Sequence, residues 1–459
     1  MRLADYKSVK KHKVPDWFHN AKLGIFIHWG LYSVPAFAVT GLDLVESMKR
    51  GLEEHFKNNP YAEWYLNSLR IKGSPTQQYH KDTYGEDFVY DDFVPIFNKE
   101  IKKWNPKEWA ELFNKAGAKY VVLVTKHHDG FLLWPSKYPN PKKKNYKASR
   151  DIVGELSKEV RKKGLKMGFY YSGTLDWSFK LEPIKDGISF VENGVRTPEY
   201  IEYANNHWYE LIDKYNATIL WNDIGYVPTN AYEIFTYFYN KFPEGVINDR
   251  WKYTKKKEDD FPVAHHHDFI TPEYEVLKKI KKKKWETNRG IGNSYGYNKI
   301  ENEEDYLDSE KLIRMFVDIV SKNGNLLLNV GPMADGTIPE VQRKVLLNLG
   351  KWLEINGEAI YDTRPWVKAE GIIIDGIEVR YTKTQKSLFV TLLEKPEEKE
   401  LEIKSLVINE NSTVQLLGNN NEIEWSQMEE NLKLKIPDDL FNSPTYSFKI
   451  TPTPNEGIN

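Results

Sequence analysis

The sequence predicts an irregular (β/α)8 barrel of the TIM type followed by an antiparallel β-sandwich. Apolar strands alternate with helices of 12 residues or more over the first 360 residues, as in a parallel sheet or barrel. Several of these strands end in polar and aromatic residues, as barrel strands do at an active face. After Ile360, short alternating segments replace the helices, which is typical of a sandwich. We expect the barrel over 1–358 and the sandwich over 359–459.

The first two predicted strands end in histidine. Residues 24–30 read GIFIHWG and end in His28 and Trp29, while residues 118–126 read AKYVVLVTK and precede His127 and His128. Between these two strands, Asn105 and Pro106 predict the start of a helix, since Asn favours the N-cap and Pro the first helical position.

The alternation continues through the rest of the barrel. Tyr170 lies near the end of one predicted strand, Trp221 and Asp223 end the strand ATILWND, and Arg250 ends GVINDR. Two stretches, 41–75 and 252–284, show no clear periodicity of apolar residues. Helices are predicted over 149–163, 198–215, 230–242, 309–321 and 339–356, and strands over 165–172, 217–223, 245–250, 285–292 and 324–330.

The composition limits the classes of function. A formal net charge of −1 argues against a general nucleic-acid or membrane-surface protein, and the absence of cysteine excludes disulfides, thiolate metal sites and cysteine nucleophiles. The N-terminal segment has basic residues with no apolar run behind them, so we expect no secretory signal and a cytoplasmic location. The oligomeric state stays open, with a homo-oligomer as one alternative.

The strand ends predict a site on one face of the barrel. Imidazoles with a carboxylate suggest either a zinc site or hydrogen bonding to a polyhydroxylated ligand on aromatic walls. Adjacent residues of an extended strand point to opposite faces, so His127 and His128 cannot both bind one metal without a bend. The spacing therefore argues against a catalytic metal, and the aromatic content of 14% is compatible with a small-molecule carbohydrate, since sugar-binding sites use such rings as platforms.

Six motifs resemble the barrel of the α-L-fucosidases of glycoside hydrolase family 29. In chain order they are WFHNAKLGIFIHWGLYSVPAFA, TKHHDGFLLWPS, YYSGTLDW, ILWNDIGY, WETNRGIGNSYGYN and GNLLLNVGPMADGTIP. The resemblance covers about residues 15 to 365. It implies a retaining exo-hydrolase that acts on fucosylated oligosaccharides and needs no metal or other cofactor.

The resemblance also assigns roles to residues. Asp223 matches the family's nucleophile and Glu273, in TPEYEV, the general acid/base, with Glu63 in the motif EWY as the alternative acid/base. The loop before Glu273 is longer than the resemblance leads one to expect, and Thr271–Pro272–Glu273 alternatively reads as a helix cap. The residues expected to hold the sugar are His28, Glu63, Trp64, His127, His128, Tyr170, Trp221 and Arg250.

One more aromatic residue is expected at the sugar, and two functions other than fucoside hydrolysis stay open. We expect Trp285, at the start of WETNRGIG, to provide an additional aromatic contact to the sugar. The alternatives to a fucosidase are a catalytically silent fucose-binding protein and, less favoured, a metal-dependent barrel hydrolase. The sequence does not indicate which fucosyl linkage is cut.

Overall fold

The structure, a computed structural model, describes residues 6–41, 44–257, 262–419, 421–438 and 440–454. It contains an eight-stranded parallel sheet rolled into a nearly closed barrel, followed by antiparallel sheets of five and three strands. The predicted fold class is confirmed. Residues 42–43 and 258–261, within the two stretches predicted to be irregular, lie outside the described residues.

The barrel strands run in the order β5-β4-β3-β2-β1-β8-β7-β6. Between β5 and β6, where the sheet would close, an isolated bridge joins Asn248 to Phe269 in place of a full ladder. We call this gap the seam. The strands are β1 Leu23–Ile27, β2 Tyr120–Lys126, β3 Lys166–Ser172, β4 Ile219–Asp223, β5 Val246–Ile247, β6 Phe269–Ile270, β7 Lys284–Gly290 and β8 Gly324–Val330.

Capping residues set the starts of several helices around the barrel. The Asn105 side chain accepts from the Lys107 amide, as predicted, and the Asp308 side chain caps the helix that begins at Ser309. The helices are α1 Tyr6–Val9, α2 Asp16–Ala21, α3 Leu44–Lys49, α4 Leu52–Lys57, α5 Tyr65–Arg70, α6 Pro75–Tyr84, α7 Phe93–Glu100, α8 Pro106–Lys115, α9 Ile152–Lys162, α10 Gly187–Glu192, α11 Pro198–Tyr215, α12 Ala231–Lys241, α13 Ser309–Ser321 and α14 Glu340–Asn356.

The strands bury both faces, in two different cores. Outward side chains pack against the helices in the main apolar core, whereas inward side chains such as Phe26, Tyr170 and Trp221 form a separate aromatic cluster inside the barrel. Gly24 faces the same interior, and a Cβ atom there would overlap the ring of Tyr120. This glycine therefore lets the Tyr120 ring lie across the bottom of the barrel.

The antiparallel sheets follow the barrel and pack face to face around their own apolar core. The predicted strand over 371–381 is two strands joined by a turn, and a strand at 425–428 was not predicted. The strands are β9 Arg364–Ile372, β10 Glu378–Lys383, β11 Leu388–Leu392, β12 Glu400–Ile403, β13 Thr413–Leu416, β14 Trp425–Met428, β15 Asn431–Lys435 and β16 Tyr446–Thr451.

Helix α13 joins the sandwich to the barrel. Its Arg314 donates to the carbonyl of Leu393 at 2.8 Å, and its Asp318 forms an ion pair with Arg380 of β10. Trp352 of α14 donates to the Thr445 hydroxyl at 3.0 Å. These contacts fix the sandwich on the outer side of two barrel helices. In the described residues, no helix is long and apolar enough to cross a membrane.

A substitution at Gly350 tests the close approach of α14 to the end of α8. A Cβ atom at Gly350 would overlap the carbonyl oxygen of Lys115, which belongs to the backbone and cannot rotate away. Helix propensity alone would favour Gly350→Ala by about 1 kcal/mol. We expect overpacking to prevail and to lower the free energy of unfolding by about 1–3 kcal/mol in urea denaturation.

The matched control is Gly194→Ala, since a Cβ atom there has only ordinary contacts, the nearest at 3.5 Å from the Val191 carbonyl oxygen. An unchanged or raised stability of Gly350→Ala relative to this control would contradict the packing described for α8 and α14.

Candidate active site

A cavity of about 220 Å³ opens at the carboxyl ends of the barrel strands. The strands are parallel, so their ends deliver side chains from distant parts of the chain to this one face. Ten of the eleven residues predicted for the site line the cavity: His28, Glu63, Trp64, His127, His128, Tyr170, Trp221, Asp223, Arg250 and Glu273.

Trp285 does not line this cavity, and the prediction that it contacts the sugar is wrong. Strand β7 continues to Gly290, so Trp285 lies near its first residue, at the opposite end of the barrel. Its side chain points outward into the main core and donates to the carbonyl of Lys322 at 2.9 Å. Trp285 stands at the start of the strand predicted over 285–292, so it lies almost a full strand length away from the carboxyl end that forms the cavity.

A larger cavity, of about 740 Å³, lies on the flank of the barrel beside α5 and α6. It contains Arg70 and the partly buried ion pair of Lys143 with Asp91, but it does not include the strand-end residues. The smaller cavity is therefore the better candidate, because titratable groups from several strands converge in it.

Asp223, the last residue of β4, is held as a carboxylate. Its Oδ1 accepts from Arg250 at 2.8 Å, and its Oδ2 accepts from the Tyr170 hydroxyl at 2.9 Å. Burial acts to raise the pKa of Asp223, but the positive charge of Arg250 and these hydrogen bonds outweigh it. The pKa of the Asp223 carboxyl lies below its ordinary value, so this group is ionised at neutral pH.

Arg250 holds the second carboxylate as well. Its guanidinium donates to Glu273 Oε2 at 3.2 Å, and Glu273 Oε1 accepts from the Tyr61 hydroxyl at 3.0 Å. The guanidinium is itself fixed, because it donates to the hydroxyl and carbonyl of Thr271 and lies 4.7 Å from the Trp221 ring centroid. One cation therefore sets the positions of Asp223 and Glu273 together.

Thr271 is anchored in turn by Asp249. Oδ1 of Asp249 accepts from the Thr271 amide at 3.1 Å and from its hydroxyl at 2.7 Å. Residues 271–273 form no helix, and Glu273 instead bridges to Asn288 of β7. The alternative interpretation of Thr271–Pro272–Glu273 as a helix cap is therefore wrong.

Glu63 lies deeper in the cavity than Glu273. Only 2% of the residue is exposed, compared with 25% of the Glu273 side chain. Its Oε2 accepts from the Gly296 amide at 2.7 Å. Burial, together with the nearby charge of Glu273, raises the pKa of Glu63 to about 8, against the opposing effect of that hydrogen bond. Glu63 is therefore a neutral carboxylic acid at pH 7.

The histidines of the cavity are neutral, and their partners define the tautomers of two of them. Asn329 donates its amide to the Tyr295 carbonyl, so its oxygen accepts from Nδ1 of His28 at 2.7 Å. Likewise Ser172 donates to the Leu175 carbonyl and accepts from Nδ1 of His128 at 2.6 Å. Each imidazole is left with an unprotonated Nε2.

Burial lowers the pKa of His28 to about 4 and that of His128 to about 3, which keeps both rings uncharged at neutral pH. His127 lies beside them, with its ring centroid 4.0 Å from that of His128. The cavity thus presents neutral hydrogen-bonding rings to a ligand, which suits hydroxyl groups.

A bulge brings His127 and His128 to the same cavity. The register between β2 and β3 shifts between Val124 and Lys126, and the Lys126 side chain turns out of the barrel. There its amine donates to Asp176 and to the Tyr200 hydroxyl, both at 2.9 Å. Both partners of the Lys126–Asp176 ion pair are fully buried. The pair therefore stabilises the bend that the sequence pattern alone did not predict.

Glu286 of β7 supports the floor of the cavity from inside the barrel. Its carboxylate accepts from the Trp221 indole at 3.0 Å and from the Tyr120 hydroxyl at 2.5 Å. Burial raises the pKa of Glu286 to about 7. This carboxyl group orients the ring on which Arg250 lies, and its inward position follows from the strand alternation of residues 284, 286 and 288.

Sequence reasoning missed half of the cavity lining. The missing residues are mostly aromatic, apolar or amide side chains. They are Phe26, Met48, Leu52, His55, Phe56, Asn59, Tyr61, Phe190, Ile224, Asn288 and Tyr295. Phe26 and Asn288 lie on β1 and β7, where strand alternation with His28 and Glu286 could have indicated them. The others come from loops, from α10 and from the irregular stretch 41–75, where no pattern places a side chain. Ile224 adopts a left-handed conformation (φ 54°) directly after Asp223, which is strained for a β-branched residue.

Comparison with known families gives one consistent result. The family model described as alpha-L-fucosidase matches residues 3–358, and the one described as alpha-L-fucosidase C-terminal domain matches residues 376–451. Among curated proteins, the tissue alpha-L-fucosidase of Homo sapiens is 32% identical over 435 residues, covering 92% of this chain and 84% of that protein.

Solved structures give the same answer. The Thermotoga maritima alpha-fucosidase in complex with a mechanism-based inhibitor is 43% identical, with a TM-score of 0.87, and covers 98% of this chain and 99% of that chain. The complex of the Thermotoga maritima alpha-fucosidase with fucose is 42% identical, with the same TM-score and coverage.

The buried ion pair behind the bulge can be tested by removing one partner. Asp176→Ala leaves the Lys126 ammonium buried without its counter-ion, which typically costs about 3–5 kcal/mol of stability. We expect a loss of this size in urea denaturation. The exposed pair of Lys399 and Asp438 provides the control, because Asp438→Ala should cost less than about 1 kcal/mol. Equal losses in the two variants would contradict the role of the buried pair.

Proposed function

The chain belongs to the α-L-fucosidase family, whose members are glycoside hydrolases, and from this premise we propose that it is a retaining, exo-acting α-L-fucosidase. It releases terminal α-linked L-fucose from fucosylated oligosaccharides or glycosides by a double displacement. The observation that carries the proposal is the guanidinium of Arg250, which holds Asp223 and Glu273 together at the strand ends. Retaining glycosidases require two carboxyl groups about 5 Å apart.

Asp223 acts as the nucleophile in the first step. A carboxylate oxygen attacks the anomeric carbon of fucose, forming an ester bond as the glycosidic C–O bond breaks. The leaving oxygen takes a proton from the second carboxyl group. The lowered pKa of Asp223 supports this role, because the attacking group must be ionised.

Glu273 acts as the general acid and then as the general base. In the second step it removes a proton from water, which attacks the anomeric carbon, breaks the ester bond and releases fucose with its configuration retained. Its position supports this role, since the side chain is 25% exposed and is therefore accessible to the leaving group and to water.

Glu63 is the alternative acid/base, and one observation favours it. Its pKa of about 8 keeps it protonated at neutral pH, as a general acid must be. The deep position of Glu63 argues for a different use of that proton, namely a hydrogen bond to a fucose hydroxyl. We therefore assign the acid/base role to Glu273 and a sugar-binding role to Glu63.

The cavity suits a single terminal sugar. Its volume of about 220 Å³ is below the roughly 300–1,000 Å³ common for ligand sites, so it accommodates little more than one ring. The neutral His28 and His128 offer Nε2 acceptors to sugar hydroxyls, and the aromatic rings of Phe26 and Trp221 offer an apolar wall to the methyl group of a deoxy sugar. This supports the exo mode of action.

The leaving group meets a different surface. The lining of the cavity includes Leu52, Phe56 and Phe190, and the rings of Phe56 and Phe190 are stacked with centroids 6.2 Å apart. This apolar side favours leaving groups with an apolar face, such as aryl groups or the carbon-rich face of a second sugar.

Release of nitrophenol from nitrophenyl α-L-fucoside tests the activity. Turnover that survives treatment with a chelator is the expected result. Measurable fucose binding without turnover across a broad pH range would leave a fucose-binding protein, and complete loss of turnover after chelation would favour a metal-dependent hydrolase.

Azide rescue tests the two catalytic assignments. Asp223→Gly should lose nearly all activity, and azide entering the vacated space should give the β-fucosyl azide with inverted configuration. Glu273→Ala should impair substrates with poor leaving groups far more than activated aryl fucosides, and azide should give the α-azide with configuration retained. The products are identified by NMR. A retained product from Glu63→Ala, with Glu273→Ala still cleaving unactivated substrates, would transfer the acid/base role to Glu63.

The raised pKa of Glu63 predicts an alkaline limb in the pH profile. The acid is neutral below its pKa of about 8 and becomes charged above it, in a buried position that disfavours the charge. We expect kcat/KM of the wild type to fall about tenfold per pH unit above that point. Glu63→Gln, which stays neutral at every pH, should have lower activity but should lose this limb. Persistence of the limb in Glu63→Gln would assign it to another group.

A further inference from the structure

Three potential metal ligands converge at the end of the barrel opposite the cavity. They are His12, in the segment between α1 and α2, and His266 and Asp268, which precede β6. One donor atom from each lies within 4.8 Å of the others. His12 Nδ1 is 2.9 Å from Asp268 Oδ1, and His266 Nε2 is 3.9 Å from the same oxygen.

The surrounding hydrogen bonds orient this cluster. The second ring nitrogen of His12, Nε2, lies 3.0 Å from the carbonyl oxygen of Pro243. The second oxygen of Asp268, Oδ2, accepts from the Ile247 amide and the Tyr239 hydroxyl, both at 2.8 Å. Such outer partners are typical of metal sites, where a ligating histidine donates its other N–H to a carbonyl and a ligating carboxylate is hydrogen-bonded.

His12 Nδ1 and Asp268 Oδ1 face each other and require a proton or a metal cation between them. A neutral His12 that donates from Nε2 to Pro243 has an unprotonated Nδ1, and this nitrogen faces a carboxylate oxygen that is also an acceptor. The contact is favourable only if a proton or a metal cation lies between the two atoms. A proton accounts for the contact between His12 and Asp268, and the Tyr239 hydroxyl, 2.7 Å away, accounts for the orientation of His266 Nε2. A single metal ion would serve all three donor atoms at once.

We propose that His12, His266 and Asp268 form a structural zinc site. Two imidazoles and one carboxylate are ligands that zinc prefers, and water completes a tetrahedron. Ligand atoms about 2.0–2.2 Å from zinc are roughly 3.3 Å apart, and the observed separations of 2.9 and 3.9 Å lie on either side of this value. His266 exchanges its contact with the Tyr239 hydroxyl for the metal, and Tyr239 keeps its hydrogen bond to Asp268.

The position of the site indicates its role. Asp268 lies at the seam, where its amide donates to the Ile247 carbonyl at 2.8 Å and the sheet has no regular ladder between β5 and β6. Zinc would join the N-terminal segment, through His12, to both edges of this seam. The His12 and His266 side chains are 10% and 8% exposed, so the ion can enter from solvent.

The experiment uses the full chain, stripped with a chelator, desalted and then titrated with Zn²⁺ alone. We expect calorimetry and metal analysis to give one tightly bound zinc per chain, and the melting temperature to rise by roughly 2–5 °C at saturating metal. Hydrolysis of nitrophenyl fucoside should change little, because the site is remote from the cavity.

His266→Ala removes one ligand while leaving the His12–Asp268 contact intact. Its zinc affinity should fall by at least about tenfold, and its melting temperature should no longer respond to zinc. The matched control is His265→Ala, which removes the neighbouring imidazole, more exposed and outside the cluster, and should behave as the wild type.

Absence of stoichiometric zinc in the wild type, or equal zinc affinity in His266→Ala and the wild type, would overturn the proposal and leave a protonated His12 paired with Asp268. If His266→Ala does not fold, as judged by circular dichroism, His12→Gln provides the same comparison. Fucoside hydrolysis measured on the same samples separates failure of the zinc site from failure of the proposed activity.

Discussion

A single guanidinium organises the active face of this barrel. Arg250 donates to Asp223 on one side of the seam and to Glu273 on the other, so it joins two strand ends that the sheet itself barely connects. Its positive charge also offsets the cost of keeping two carboxyl groups close together in a partly buried cavity. Trp221, which is oriented by Glu286, lies beneath the guanidinium, and Thr271, which is oriented by Asp249, lies beside it. Both residues hold the Arg250 side chain in place.

The parts of the fold that follow local rules could be predicted from the sequence. The helices over 198–215 and 309–321 begin at strong capping residues, and the strand over 324–330 is a continuous buried run, so the structure reproduces these bounds. The strand predicted over 245–250, β5, is only two residues long, and β6, which is equally short, was missed. Trp285 was misplaced because it was grouped with the residues at strand ends, although it begins the strand predicted over 285–292 and its side chain points outward into the main core.

The candidate site was predicted mainly through residues that stand at strand ends. What the sequence did not predict depends on contacts between distant positions. His127 and His128 share the cavity because Lys126 turns outward to Asp176, 50 residues further along the chain. Tyr61 and Tyr295 reach the site from the loops after β1 and β7, which are far apart in the chain, and their rings meet edge to face at 5.3 Å. Such positions are fixed by packing, so no local pattern indicates them.

The clamp between Asp249 and Thr271 has a consequence for how this protein can change. It joins the chain just after β5 to the chain just after β6, so the positions of these two residues are fixed relative to each other whatever the length of the excursion between the strands. Lengthening a closed loop costs little, since each doubling adds only about 0.6 kcal/mol of closure entropy. Insertions there can accumulate, or be grafted, without moving Arg250 or Glu273. The excursion is thus a place where relatives can diverge in length while their catalytic geometry stays the same.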